Sequence, residues 1–238
     1  MAAQKLAGKR VAALFTDGVE QVEFTNPRQA LEQAGARVTI VSIHDGQVRG
    51  WDHDHWGQEF TVDETVEQAN PNDFDALLLP GGVMNPDRLR TNERAVQFVR
   101  QMVRDGKPIA AVCHGPWMLV EADVVRDRTL TSWPSLKTDV TNAGGHWVDK
   151  EVVVDDGIVT SRKPADLEAF DRHMIEEFGE GEHARGSQPL AAEHYMQRER
   201  NPGADKVTEA SQESFPASDA PGWAQATPTR EGEQPHQG

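Results

Sequence analysis

Short apolar runs alternate with stretches of helical spacing along most of this chain. Residues 11–15 form an apolar run of strand length, and 22–34 carry helical spacing that stops at Gly35. Residues 37–43 supply a second strand, so the chain opens as strand, helix, strand. Residues 46–62, rich in Gly, Trp and His, predict a hairpin. Residues 74–79 are a dense apolar strand ended by Pro80-Gly81-Gly82. Across 92–105, Ala95, Val96, Phe98, Val99, Met102 and Val103 fall on one helical face, and Gly106 ends the helix. Residues 109–112 predict a central strand and 115–122 the helix that follows it. A strand at 129–133, a helix at 135–142 and strands at 148–154 and 158–160 come next. The last two strands are joined through Asp155-Asp156-Gly157 as a hairpin, and a helix over 165–178 closes the series.

Strands that are apolar on every residue belong in a sheet covered on both faces. The pattern therefore predicts an α/β fold, a doubly wound and mostly parallel sheet with helices on both sides. From about residue 179 onward, Gly, Glu, Pro, Ser and Gln take over. Such a segment buries too little apolar surface to offset its ordering entropy. The expected organisation is an α/β domain over 7–180 and an acidic, largely disordered extension over 181–238, with a short helix at 190–198 and Trp223 as its one large apolar side chain.

Composition narrows the function. The 39 acidic and 24 basic residues give a net charge of −15, and no dense Lys/Arg run occurs, so nucleic-acid binding is not expected. No apolar stretch is long enough to span a bilayer, and MAAQKLAGKR leads directly into a short strand without a signal-peptide pattern. One cysteine permits no intrachain disulfide. A cytoplasmic, thiol-reducing setting is expected.

That cysteine ends an apolar strand in Ile109-Ala110-Ala111-Val112-Cys113-His114-Gly115-Pro116. Sites in doubly wound sheets lie beyond the C-terminal ends of strands, and helix N-terminal amides stabilise a thiolate or an oxyanion. Spacing alone leaves two readings of Cys113: a nucleophile, or a small buried hydrophobe. His114 is either a base reoriented by a sharp turn or a structural side chain. Glu20 follows the first strand and could reach the thiol, with Asp17 and Glu23 as weaker alternatives; an ordinary carboxylate near a helix start is the plainer reading. Gly81, Gly82 and Val83 could offer amides to an oxyanion, although turn-making explains the glycines nearly as well, and Asp87 lies in the next loop. In WDHDHW, His53 and His55 alternate, but no later partner has metal-site spacing, so no metal is expected. Gly144-Gly145 lacks the order of a dinucleotide fingerprint.

Over about residues 9–178 the chain resembles the DJ/PfpI family, in its PfpI-like branch. The resemblance rests on Ala13-Leu14-Phe15 through Glu20, Leu79-Pro80-Gly81-Gly82, Ala111 through Pro116, Thr131-Ser132-Trp133-Pro134, Asn142-Ala143-Gly144 and Ser161 through Leu167, in that order. It implies a flavodoxin-like sheet related to class I glutamine amidotransferases, Cys113 as nucleophile, Glu20 as its protonated partner and His114 as the adjacent histidine. It further implies an acidic residue shared from a neighbouring subunit, for which Asp87 stands in the matching loop, and hence a homodimer or higher homo-oligomer. The implied activity is a cysteine-dependent glyoxalase or deglycase acting on 2-oxoaldehydes or their early protein adducts in stress protection, with no cofactor. A peptidase independent of ATP and a redox-responsive chaperone are the alternatives. No late His-Glu pair completes an amidotransferase triad. Trp117 stands where a smaller side chain would leave more room.

Overall fold

A computed structural model describes residues 5–182. The predicted helix at 190–198, Trp223 and nearly all of the predicted extension lie outside the described residues. The first half contains β1 (Arg10–Leu14), β2 (Val19–Glu20), α1 (Gln21–Gln33), β3 (Arg37–Ser42), β4 (Gln47–Asp52), β5 (His55–Thr61), β6 (Glu64–Thr65) and β7 (Ala76–Leu79). It continues through α2 (Met84–Leu89), α3 (Glu93–Arg104), β8 (Ile109–Val112) and α4 (Trp117–Glu121). The remainder holds β9 (Thr129–Leu130), α5 (Lys137–Asn142), β10 (His146–Trp147), β11 (Val152–Asp155), β12 (Ile158–Ser161) and α6 (Leu167–Glu180).

Seven strands form the central sheet in the order β11-β12-β8-β7-β1-β3-β6. Every neighbouring pair is parallel except β11 with β12, which is the antiparallel hairpin expected at Asp155-Asp156-Gly157. The period-two geometry of a strand sends alternate side chains to opposite faces. Ala12, Leu14, Leu77, Leu79, Ile109 and Ala111 accordingly share a core with Val99 and Met102 of α3 and Leu119 of α4. Val11, Ala13, Ala76, Leu78, Ala110 and Val112 instead pack with Phe24 and Leu31 of α1 and Phe170, Met174 and Phe178 of α6. Both sheet faces are covered, which explains strands that are apolar throughout.

Some differences from the sequence reading fall at segment ends, and others are whole short elements. The predicted 148–154 strand begins only at Val152, because His146 and Trp147 pair with Thr129 and Leu130 in a separate two-stranded sheet. The expected loop after Gly82 contains α2. That short helix was hidden by Pro86, which suits an early helical position where no amide partner is needed. The hairpin of β4 and β5 joins β2 and stands beside the C-terminal ends of the central strands.

Candidate active site

Cys113 immediately follows β8 with φ of +60°, a left-handed conformation that costs a residue with a Cβ about 1–2 kcal/mol. The backbone around it is held from three directions. Its N–H donates to the Ser161 carbonyl at the end of β12 (3.0 Å), and its carbonyl accepts from Trp133 N–H (2.8 Å). Gly115 N–H closes the turn onto Val112 (2.8 Å). The thiol is nearly buried, at 7 % exposure. This turn brings two adjacent side chains together: His114 Nδ1 lies 3.2 Å from Cys113 Sγ. The amides of Gly82 and His114 face the sulfur as well.

The carboxyl beside the sulfur belongs to Glu23, and not to Glu20. Glu23 sits in the first turn of α1 and is fully buried. Glu20 lies in β2, where its N–H reaches the Gly81 carbonyl (3.3 Å) and its half-buried carboxyl meets the backbone N–H of His53 at the hairpin tip. Three residues advance the chain by almost one helical turn, which carries Glu23 beneath Gly81. A Cβ placed on Gly81 would stand 2.5 Å from Glu23 Oε2 and 2.8 Å from Cys113 Cβ, so only glycine admits this approach.

Cys113 and the amides of Gly81 and Gly82 face the Glu23 carboxyl. Neither carboxyl oxygen has a hydrogen bond of ordinary geometry. Burial foremost, then the charge of nearby Glu20, pushes the Glu23 pKa up to about 8. Burial and the neighbouring Glu23 charge likewise push the Cys113 thiol up. The two groups therefore titrate as a pair. With Glu23 protonated, the charge repulsion disappears and a donor faces the sulfur. Burial lowers His114 to about 4, leaving a neutral ring near pH 7.

The remaining candidates divide by location. Gly81 and Gly82 line the sulfur–carboxyl pair. Val83 is 56 % exposed, and its amide is not among the groups facing either reactive atom. Asp87 is exposed on α2 instead of in a loop, and its carboxylate makes no hydrogen bond or ion pair among the described residues. His53 and His55 engage Asp52 and Asp54 at 2.7 and 2.8 Å, and no metal-binding cluster occurs among the described residues.

Asn85 was missed by the sequence reading. Its buried side chain accepts from Thr16 N–H (2.8 Å) and donates to the carbonyls of Pro80 (2.9 Å) and Gly81 (3.0 Å). It thereby ties the end of β1 to the glycine turn. Its position just beyond the two glycines was the available signal. Asn85→Ala is expected to cost about 2–4 kcal/mol by stranding these backbone groups, read as a lower urea midpoint with an unchanged slope.

Comparison with known proteins gives one consistent picture. The profile described as DJ-1/PfpI family matches residues 9–177. "Protein/nucleic acid deglycase 2" of Escherichia coli is 44% identical over 173 residues, covering 72% of this chain and 98% of its own. "General stress protein 18" of Bacillus subtilis is 42% identical over 170 residues, covering 71% and 96%. A crystal structure of a two-domain protein with DJ-1/ThiJ/PfpI-like and ferritin-like domains, from Anabaena variabilis, superposes with a TM-score of 0.68 at 36% identity. That match covers 72% of this chain and 48% of the other.

Proposed function

Because the chain belongs to the DJ-1/PfpI family, we propose that it is a cysteine-dependent hydrolase acting on 2-oxoaldehydes or on their early adducts with protein amines and thiols. The carrying observation is the buried Cys113–Glu23 pair, with Glu23 raised to about 8. A nucleophile beside a carboxyl that keeps its proton near neutral pH can both attack a carbonyl and manage the protons.

The steps balance without an external oxidant. The Cys113 thiolate adds to the aldehyde carbon, and Glu23 gives its proton to the developing alkoxide. An adduct enters the same hemithioacetal by releasing its amine or thiol. Glu23, now a carboxylate, takes the proton from that carbon and returns one to the adjacent carbon as the carbonyl and hydroxyl exchange places. The product is a thioester of the 2-hydroxy acid. Water cleaves it, freeing the hydroxy acid and the thiol. The Gly82 and His114 amides are placed to support charge at the reacting centre.

The Cys113–His114 contact favours a second reading, an intracellular cysteine peptidase, since a thiol against an imidazole is also a peptidase arrangement. Purified protein incubated with methylglyoxal, and separately with a preformed methylglyoxal adduct of N-acetylarginine, is expected to yield lactate. Cleavage of an unfolded protein substrate with no lactate would reverse the choice. In either reading a homo-oligomer in which the exposed Asp87 meets a neighbouring copy is part of the proposal, as is a role in stress protection.

A further inference from the structure

Arg162 opens the turn that follows β12, and its guanidinium engages two carboxylates at once. Nε and Nη2 donate to the two oxygens of Asp166 (2.8 and 3.2 Å), and Nη1 donates to Asp149 (2.7 Å). Asp166 is buried and stands at the N-cap of α6, where an aspartate commonly accepts from the first free amides of the helix. Here it makes no such bond, and both oxygens serve Arg162 instead. The preceding residue is tied to the same neighbourhood. The hydroxyl of fully buried Ser161 donates to the Glu151 carbonyl (2.9 Å), two residues beyond Asp149. The peptide that joins Ser161 to Arg162 carries the carbonyl that accepts from Cys113 N–H (3.0 Å).

We propose that Arg162 is a positioning residue for Cys113: its two-carboxylate fork fixes the Ser161–Arg162 peptide, and that peptide holds the cysteine in its left-handed turn. A φ of +60° is not one that a cysteine adopts freely, and it persists only where the surroundings over-determine it. Trp133 N–H holds the carbonyl side of Cys113, and the Ser161 carbonyl holds the amide side. The pairing of β8 with β12 ends at Val112 and Ser161, so no further strand residue steadies that carbonyl. The Arg162 side chain takes over there. It joins the segment before β11, through Asp149, to the start of α6, through Asp166, and the Ser161–Arg162 peptide lies at the junction. A planar guanidinium can address two carboxylates in fixed directions, whereas an ammonium is a single point of charge. Release of the fork would let the peptide rotate, the Cys113 amide lose its acceptor and the sulfur drift from Glu23. The inference rests on Cys113 as the reactive thiol, and not on the choice of substrate.

Because the chain has one cysteine, a nitrogen-15 cysteine label gives a single amide signal, that of Cys113. Hydrogen exchange of this amide would be followed in the full chain, in Arg162→Lys and in Asp149→Asn. Ile109 N–H, bonded to the Gly157 carbonyl at the opposite end of β8 (2.8 Å), is the internal reference. Arg162→Lys is expected to speed exchange at Cys113 by about tenfold or more and to leave Ile109 within about twofold. Asp149→Asn weakens only the exposed arm of the fork and is expected to give a smaller increase of the same kind. It decides the matter if Arg162→Lys fails to fold. In lactate formation, Arg162→Lys should lower kcat by about 10–100-fold with KM nearly unchanged, because a misplaced nucleophile impairs attack and not binding. Equal Cys113 exchange in the full chain and the variants would overturn the proposal. So would a matching acceleration at Cys113 and Ile109, which would make Arg162 a support of the fold alone. Absence of lactate formation by the full chain would defeat the proposed substrate and leave the exchange measurement able to decide the role of Arg162.

Discussion

Cys113→Ala is expected to reduce lactate formation by three orders of magnitude or more, on the order of what removal of a catalytic nucleophile costs. No other sulfur nucleophile exists in the chain to take its place. The loss would appear in kcat at saturating methylglyoxal, because the bond to sulfur is the route to product and not an aid to binding. The fold should survive. Alanine fits the space of the small thiol and keeps the backbone bonds to Ser161 and Trp133. Alanine also suffers the same left-handed strain as cysteine at φ +60°. A melting temperature close to that of the parent would show that chemistry has been removed and structure has not. Product formation equal to the parent's would exclude Cys113 as the nucleophile.

Glu23→Gln carries the second large expectation, and it acts on activity and stability in opposite senses. Glutamine fills the same space but neither gives up nor accepts the shuttled proton, so activity should fall by about 10²–10⁴-fold. The folded protein holds the Glu23 proton up to about pH 8, against an ordinary carboxyl value of 4.5. Between those limits the native state binds more protons than the unfolded chain. The stability contributed by this neutral carboxyl is therefore complete below about 4.5 and is lost as pH rises through 8. Glutamine has no charge to bury. The variant should consequently match the parent near pH 4.5 and exceed it increasingly toward pH 8, by an amount on the order of a few kcal/mol. Urea unfolding at those two pH values measures the divergence. A parent that stabilises relative to the variant as pH rises would refute the protonated assignment. Such a trade is common where an active site keeps a group in an unfavourable environment.

How much of this was legible in advance depends on whether a feature is local or assembled. The buried strands announced themselves because both faces of the sheet are covered, as the division between Val11 and Ala12, or Ala110 and Ala111, shows. Cys113 was legible because an apolar strand runs directly into a Gly-Pro turn. The identity of its carboxyl neighbour was not. Glu20 and Glu23 lie in one short segment, and choosing between them required knowing that α1 begins at Gln21. The close approach under Gly81 is equally invisible, since it depends on β7 lying beside β8. Asn85 acts at a sequence separation of 69 residues, beyond any local pattern. Asp87 was expected in the loop after the glycines, where a short helix forms instead.

The way the central sheet terminates bears on how the protein behaves at high concentration. One margin is β6, only Glu64 and Thr65, and the other is β11, the antiparallel partner of β12. Unpaired amides and carbonyls along a long parallel border would invite a second chain to add itself as a further strand. Here one border is too short to template much pairing and bears a carboxylate. The other is four residues long and finishes in Asp155, whose carboxylate accepts from Thr129 N–H (2.7 Å). A core of strands apolar on every residue is thus enclosed between two margins poorly suited to fibril growth.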